Sequence, residues 1–142
     1  MSQRRSPKRS SRKDPKPQAA RARHRGDSIR ALTHLVLEFR HERDWKQFHN
    51  PKDQALSLTL EAAELLELMQ WRNGHELEEH LRTPQARRRL QEELADVLGW
   101  VLLLAHDQEI DLANAFREKI ELNKRKYPVE KARGSARKYT EL

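Results

Sequence analysis

Cysteine is absent from this 142-residue chain, which excludes disulfide frameworks, thiolate zinc sites and cysteine nucleophiles. Any metal must therefore bind oxygen or imidazole. No stretch approaches the roughly 18 consecutive apolar residues that span a bilayer, and the N-terminus lacks the apolar core of a secretory signal. A soluble, cytoplasmic protein with no membrane partner is expected. Period-two alternation bounded by hairpin turns is also missing, so a sheet has little support. The length suits one domain with a real hydrophobic core.

Positive charge is plentiful but unevenly placed. The formal net charge is +7, yet residues 1–26 hold ten Lys or Arg against the single acid Asp14, while residues 27–142 hold 19 basic and 21 acidic side chains. The first segment mixes Ser, Pro, Arg and Lys with no large apolar residue after Met1, a composition that cannot offset the entropy of ordering. It reads as a disordered basic tail. Its role is either that of a solvated arm or nonspecific attraction to nucleic acid or another polyanion.

Residues 27–142 read as one all-α domain, a bundle of four helices. Asp27 and Ser28 are candidate N-caps for a first helix with Ile29, Leu32, Val36 and Phe39 at helical spacing, fading near Arg43. An aromatic connection from Asp44 leads to Pro51, which opens a second helix running to about Gln70. Asn73 and Gly74 break it, and a charged loop with Pro84 leads to a third helix from about Gln85 to His106. Asp111 caps the fourth, whose stripe is Leu112, Ala115, Phe116 and Ile120, and Pro128 ends it near Tyr127. The remainder is expected to be extended.

Two pairs of carboxylates stand out by their surroundings. The second helix carries Ala55, Leu58, Ala62, Leu65 and Met69 on one face and Leu56, Leu60, Ala63 and Trp71 on another. Glu61 and Glu64 occupy the narrow arc between them, with Cβ atoms roughly 5–6 Å apart. In the third helix, every position from Leu94 to Ala105 is apolar or glycine except Asp96, and Glu93 lies three residues before it. Spacing alone decides little, since Glu64/Glu67, Glu76/Glu79 and Glu118/Glu121 share it. Uncompensated carboxylates in apolar surroundings are costly, however, and neither helix offers a Lys or Arg between Asp53 and Trp71 or between Gln91 and Asp107. A divalent cation is the better counter-charge, and all-oxygen ligation favours Mg²⁺ or Mn²⁺ over zinc. A di-iron carboxylate site is the rival. Glu38 and His41 supply one Glu-x-x-His unit, but the other helices have no histidine at the required offset.

Glu61-Ala-Ala-Glu64 followed by Glu93-Leu-Ala-Asp96 resembles the ExxE and ExxD pairs of the MazG-like all-α NTP pyrophosphatases, and among these the dCTP diphosphatases most. The resemblance extends through Glu42 to His49, Gln70-Trp71, Leu90 to Leu94, Lys119 to Asn123, Tyr127-Pro128 and Arg133 to Thr140, covering about residues 28–142 in order. It implies a homotetramer with Mg²⁺ held by Glu61, Glu64, Glu93 and Asp96, and a base pocket of Trp45, His49, Trp71 and Trp100. It also matches Lys119 and Asn123 to a phosphate-side motif, and Arg133 and Lys138 could reach the triphosphate. Two positions depart from the pattern: Trp100 stands where relatives often have tyrosine, and Val36 where they have histidine.

The chemistry so implied is attack of water on the α-phosphorus of a nucleoside triphosphate, dCTP or a modified dCTP, releasing the monophosphate and pyrophosphate. Glu61 or Glu64 would orient or deprotonate the water. A broader house-cleaning NTP pyrophosphatase is the alternative enzyme, and a nucleic-acid-associated oligomer using the basic tail is the alternative outside enzymology. Helices apolar on two faces also call for a partner copy with shared sites, because a lone four-helix bundle buries one stripe per helix.

Overall fold

The computed structural model describes residues 28–141. The expected basic tail, residues 1–26, and the candidate cap Asp27 lie outside them. Helix α1 spans Ile29–Glu42 and begins where the Ser28 side chain accepts from the Ala31 N–H at 3.2 Å. Asp44 adopts φ 51° and turns the chain into a four-residue 3₁₀ turn, Trp45–Phe48. Asn50 then caps α2, Pro51–Glu67, by accepting from the Asp53 N–H at 3.0 Å, with Pro51 in the first turn.

The charged stretch expected as a loop is instead a helix, α3, Gly74–Arg82. Helix α2 already ends at Glu67, and Asn73 and Gly74, expected to break it, instead begin α3; Leu77 and Leu81 lie one turn apart and are half-buried, which gives the segment an apolar edge to lay on α4. Helix α4, Pro84–Asp107, is the longest at 24 residues and starts at Thr83, whose hydroxyl accepts from the Ala86 N–H at 3.3 Å. Helix α5, Leu112–Lys126, is capped by Asp111 as expected. The chain after Pro128 is not wholly extended: α6, Val129–Ala132, and a 3₁₀ turn, Tyr139–Glu141, follow.

The described residues contain no strand, and α4 is their hub, packing against α2 most extensively and also against α1 and α3. The buried apolar residues are Leu68 and, from α4, Ala86, Leu102, Leu103 and Ala105. Full burial of each leucine contributes about 1.5–3 kcal/mol, so this small core pins α4 against its neighbours. Helix α5 makes no comparably extensive contact within the described chain. Its Leu112 and Ala113 line a groove with Ile29, Leu37 and Leu102, but Phe116 is 66% exposed. Leu56, Leu60 and, just past the helix, Trp71 are largely open to solvent, so the second apolar face of α2 is uncovered in a single copy, and Leu66 and, on α1, Leu35 are open as well. No helix among the described residues is long and apolar enough to cross a membrane.

Candidate functional site

Packing of α2 on α4 brings the two acidic pairs together. Glu61, Glu64 and Glu93 each place a carboxylate oxygen within 4.8 Å of the others. Asp96 stands beside this trio, one turn along α4, and lines the adjoining cleft with Glu61. The surroundings are wetter than the sequence suggests: Glu61 and Glu93 are half-buried, while Glu64 and Asp96 are exposed. The acids lie on the open rim of the α2–α4 seam. The buried leucines are Leu68 at the end of α2 and Leu102 and Leu103 of α4.

Electrostatics still mark the cluster. Loss of water contact raises the Glu93 carboxyl above its ordinary range, the charges of Glu64, Asp96 and Glu61 raise it further, and Arg89 acts the other way. Among the described residues no Lys or Arg forms an ion pair with any of the four acids. Three carboxylate oxygens within 4.8 Å of one another, without a Lys or Arg paired to them, are a hard-oxygen donor set that fits a divalent cation.

A cleft of about 230 Å³ opens directly beside the acids. Its aromatic wall is made by Trp45 and His49, delivered by the 3₁₀ turn, and by Trp100 of α4. The rings of His49 and Trp100 lie 5.1 Å apart, and Phe39 meets Trp45 edge-on at 5.7 Å. Val36, Gly99 and Leu103 complete an apolar side. The Trp100 indole N–H donates to Glu61 Oε1 at 3.3 Å, joining the aromatic wall to the carboxylate cluster. His49 is held neutral near pH 7: burial lowers its pKa, Arg40 and Lys46 lower it further, and Asp107 opposes them. Its Nδ1 is buried without a hydrogen-bond partner.

Three expected substrate residues are not brought to the cleft within one chain. Trp71 lies beyond the end of α2 at φ 69° and is 88% exposed, because the helix stops at Glu67 and the turn carries the indole outward. Lys119 and Asn123 sit on α5 and are absent from the cleft lining. Arg133 and Lys138 are also absent from the cleft lining.

A buried ion cluster borders the cleft, with no local sequence motif to mark it. Arg40, which lines the cleft, forms a bidentate pair with Asp107 at 2.7 and 3.0 Å, and both side chains are buried. Lys46 Nζ and Gln54 Nε2 each reach the same carboxylate at 2.7 Å. Burial would raise the Asp107 pKa, but hydrogen bonds from Arg40, Lys46 and Gln54 outweigh it and hold the carboxyl well below the usual range. The signal lay in register: Arg40 follows Val36 by one turn and Asp107 follows Leu103 by one turn, so each continues a stripe that faces the interior.

Oxygen ligands for a divalent cation beside an aromatic slot suit a substrate that joins a planar ring to a string of phosphates. Comparison with known proteins agrees. The chain is 44% identical to dCTP pyrophosphatase 1 of Homo sapiens over 115 residues, which is 81% of this chain and 68% of that protein. It is 43% identical over the same shares to dCTP pyrophosphatase 1 of Bos taurus. In three dimensions it matches the crystal structure of a pyrophosphatase from Archaeoglobus fulgidus with a TM-score of 0.65 and 40% identity, covering 70% of this chain and 92% of that one. The MazG-like family matches residues 56–142, a span that contains both acidic pairs, and the chain belongs to that family.

Proposed function

We propose that this protein is a Mg²⁺-dependent nucleoside triphosphate pyrophosphohydrolase that converts dCTP, or a 5-modified dCTP, and water to the monophosphate and pyrophosphate. The observation that carries the reading is the meeting of Glu61, Glu64 and Glu93 next to a cleft walled by Trp45, His49 and Trp100. Its support from relatives is the pair of dCTP pyrophosphatases that share over two-fifths of their aligned residues with it.

Glu61, Glu64, Glu93 and Asp96 would hold Mg²⁺, with Mn²⁺ as a substitute. When bound, such an ion supplies positive charge that offsets the triphosphate and the charge gathering on the departing pyrophosphate. The protein's own groups do the rest. Trp45 and Trp100 stack on the base, and His49, neutral near pH 7, offers one ring nitrogen as donor or acceptor to its edge. Glu61 or Glu64 orients a water toward the α-phosphorus and accepts its proton as the new P–O bond forms and the bond to the β-phosphate oxygen breaks. The Trp100 N–H fixes the Glu61 carboxylate on the side facing the base.

The working unit in this reading is a homo-oligomer, a tetramer, acting on the nucleotide pool of the cytoplasm, with residues 27–142 as the hydrolase domain and the basic tail outside it. Exposed Leu35, Leu60, Leu66 and Phe116 are the apolar area that association would cover. Trp71, Lys119 and Asn123 would then serve a neighbouring copy's site rather than their own. A broader substrate range is the second reading, favoured by a cleft lined mostly by apolar, aromatic and charged side chains, in which His49 and the indole N–H groups are the uncharged polar side-chain groups. The deciding experiment is pyrophosphate release from the four dNTPs, their ribose counterparts and 5-modified dCTP, with and without Mg²⁺. Preference for dCTP or its 5-modified forms is the expected result; equal turnover of all bases selects the broader reading, and no release at all rejects both.

A further inference from the structure

The Asp107 carboxylate is not within the carboxylate cluster, yet it gathers three partners from the chain segment that carries two cleft residues, Trp45 and His49. Lys46 and Gln54 both bond it at 2.7 Å, and they bracket His49 in sequence. Arg40, at the end of α1, bonds it twice and lines the cleft itself. The stretch from Arg40 to Gln54, which carries Trp45 and His49, is thus fastened at three points to one side chain of α4.

Beyond the ring contacts of Trp45 with Phe39 and of His49 with Trp100, that segment has little else to hold it. Asp44 enters the turn in the left-handed region, Phe48 is 63% exposed and Trp45 is 43% exposed, so burial of apolar area fixes it only weakly. The Gln47 amide donates to Asp44, a bond internal to the turn that does not tie it to the helices. His49 has no hydrogen bond of its own through Nδ1, so the ring's place depends on where the backbone puts it and on its contact with Trp100. A buried ion cluster, meanwhile, is seldom worth more to stability than apolar side chains of the same volume. Stability alone therefore gives no reason for four polar groups here, whereas fixing the geometry of a ligand site does.

We propose that Asp107 is a positioning residue which, through Lys46, Gln54 and Arg40, locks the Trp45–His49 turn in the orientation that receives a nucleobase, without touching the substrate. The proposal rests on the reading of the cleft as a base pocket. Lys46 is the informative handle, because its side chain is 59% exposed and its loss leaves the buried Arg40–Asp107 pair intact.

The test uses the full chain labelled with 5-fluorotryptophan, the three ¹⁹F resonances being assigned by single Trp-to-Phe changes. In Lys46→Met, the Trp45 resonance should shift or broaden while that of Trp71 stays in place, with the thermal midpoint unchanged. The KM for dCTP should rise roughly tenfold with kcat altered less than about twofold, and Lys46→Arg should restore both the resonance and KM. An unmoved Trp45 resonance overturns the proposal, as does an unchanged KM in a variant whose parent is active. If the parent hydrolyses no nucleotide, the functional reading fails separately, and the Trp45 resonance still decides whether the cluster holds the turn. Asp107→Asn, where it folds, should displace the same resonance further.

Discussion

Replacing Asp107 by asparagine strands the Arg40 guanidinium, whose side chain is 7% exposed and whose strongest bonds both go to that carboxylate. Breaking a buried pair from one side costs about 3–5 kcal/mol, because the remaining charge is left without compensation. For a domain of this size each kcal/mol moves the melting midpoint by about 3–5 °C, so a fall of about 10–20 °C is expected. Scanning calorimetry at pH 7.5 measures it, at one fixed protein concentration because subunit dissociation would couple to unfolding. The double variant Arg40→Met/Asp107→Leu removes both charges and should recover most of the loss. A single variant melting within about 2 °C of the parent, or a double variant no better than the single, would refute this account of the cluster. Acid provides an independent check. The folded Asp107 carboxyl is depressed, so its contribution is complete above the unfolded carboxylate pKa of about 3.9 and is lost as pH falls toward the folded value. The parent should therefore lose stability below about pH 4.5 more steeply than Asp107→Asn does.

Three further outcomes are expected. Asp96→Ala should lower turnover by about a thousandfold or more while the circular dichroism of the helices is unchanged; near-parental activity would remove the proposed metal centre. Trp100→Phe keeps an aromatic face but loses the donor to Glu61, so Mn²⁺ affinity followed by electron paramagnetic resonance should weaken roughly tenfold, and an unaltered titration would show that bond to be idle. Light scattering at micromolar concentration should give a mass near four times the 16.9 kDa chain, and a monomer there would contradict the shared-site reading.

Much of the helical framework was legible because its signals are local. Ser28 and Asp111 cap helices through their own side chains and Pro51 sits in the first turn of α2, as expected. Asn50 and Thr83, which were not expected as caps, close α2 and α4 by the same local rule, and Pro84, expected in a loop, sits in the first turn of α4. Helix α3 was missed because its two half-buried leucines are outnumbered by charges, and only contact with α4 makes that face interior. The acids that meet were legible for a different reason: Glu61 and Glu64 stand between two apolar faces of α2, Glu93 lies three residues before Asp96 at the edge of the apolar run of α4, and packing of α2 on α4 brings the trio together. Trp71 illustrates the limit, since its closeness to Glu64 and Glu67 in sequence says nothing about a turn at φ 69° that carries it away from the cleft.

The sequence by itself determined that this chain is helical, where most of its helices begin, and which carboxylates are available to a cation, because caps, periodicity and i, i+3 neighbours act within a few residues. Only the tertiary structure decided that His49 and Trp100 face one another, that Trp100 touches Glu61, and that Arg40, Lys46 and Gln54 converge on Asp107. Those contacts join residues 39 to 67 positions apart, and their formation depends on how helices cross rather than on any local preference.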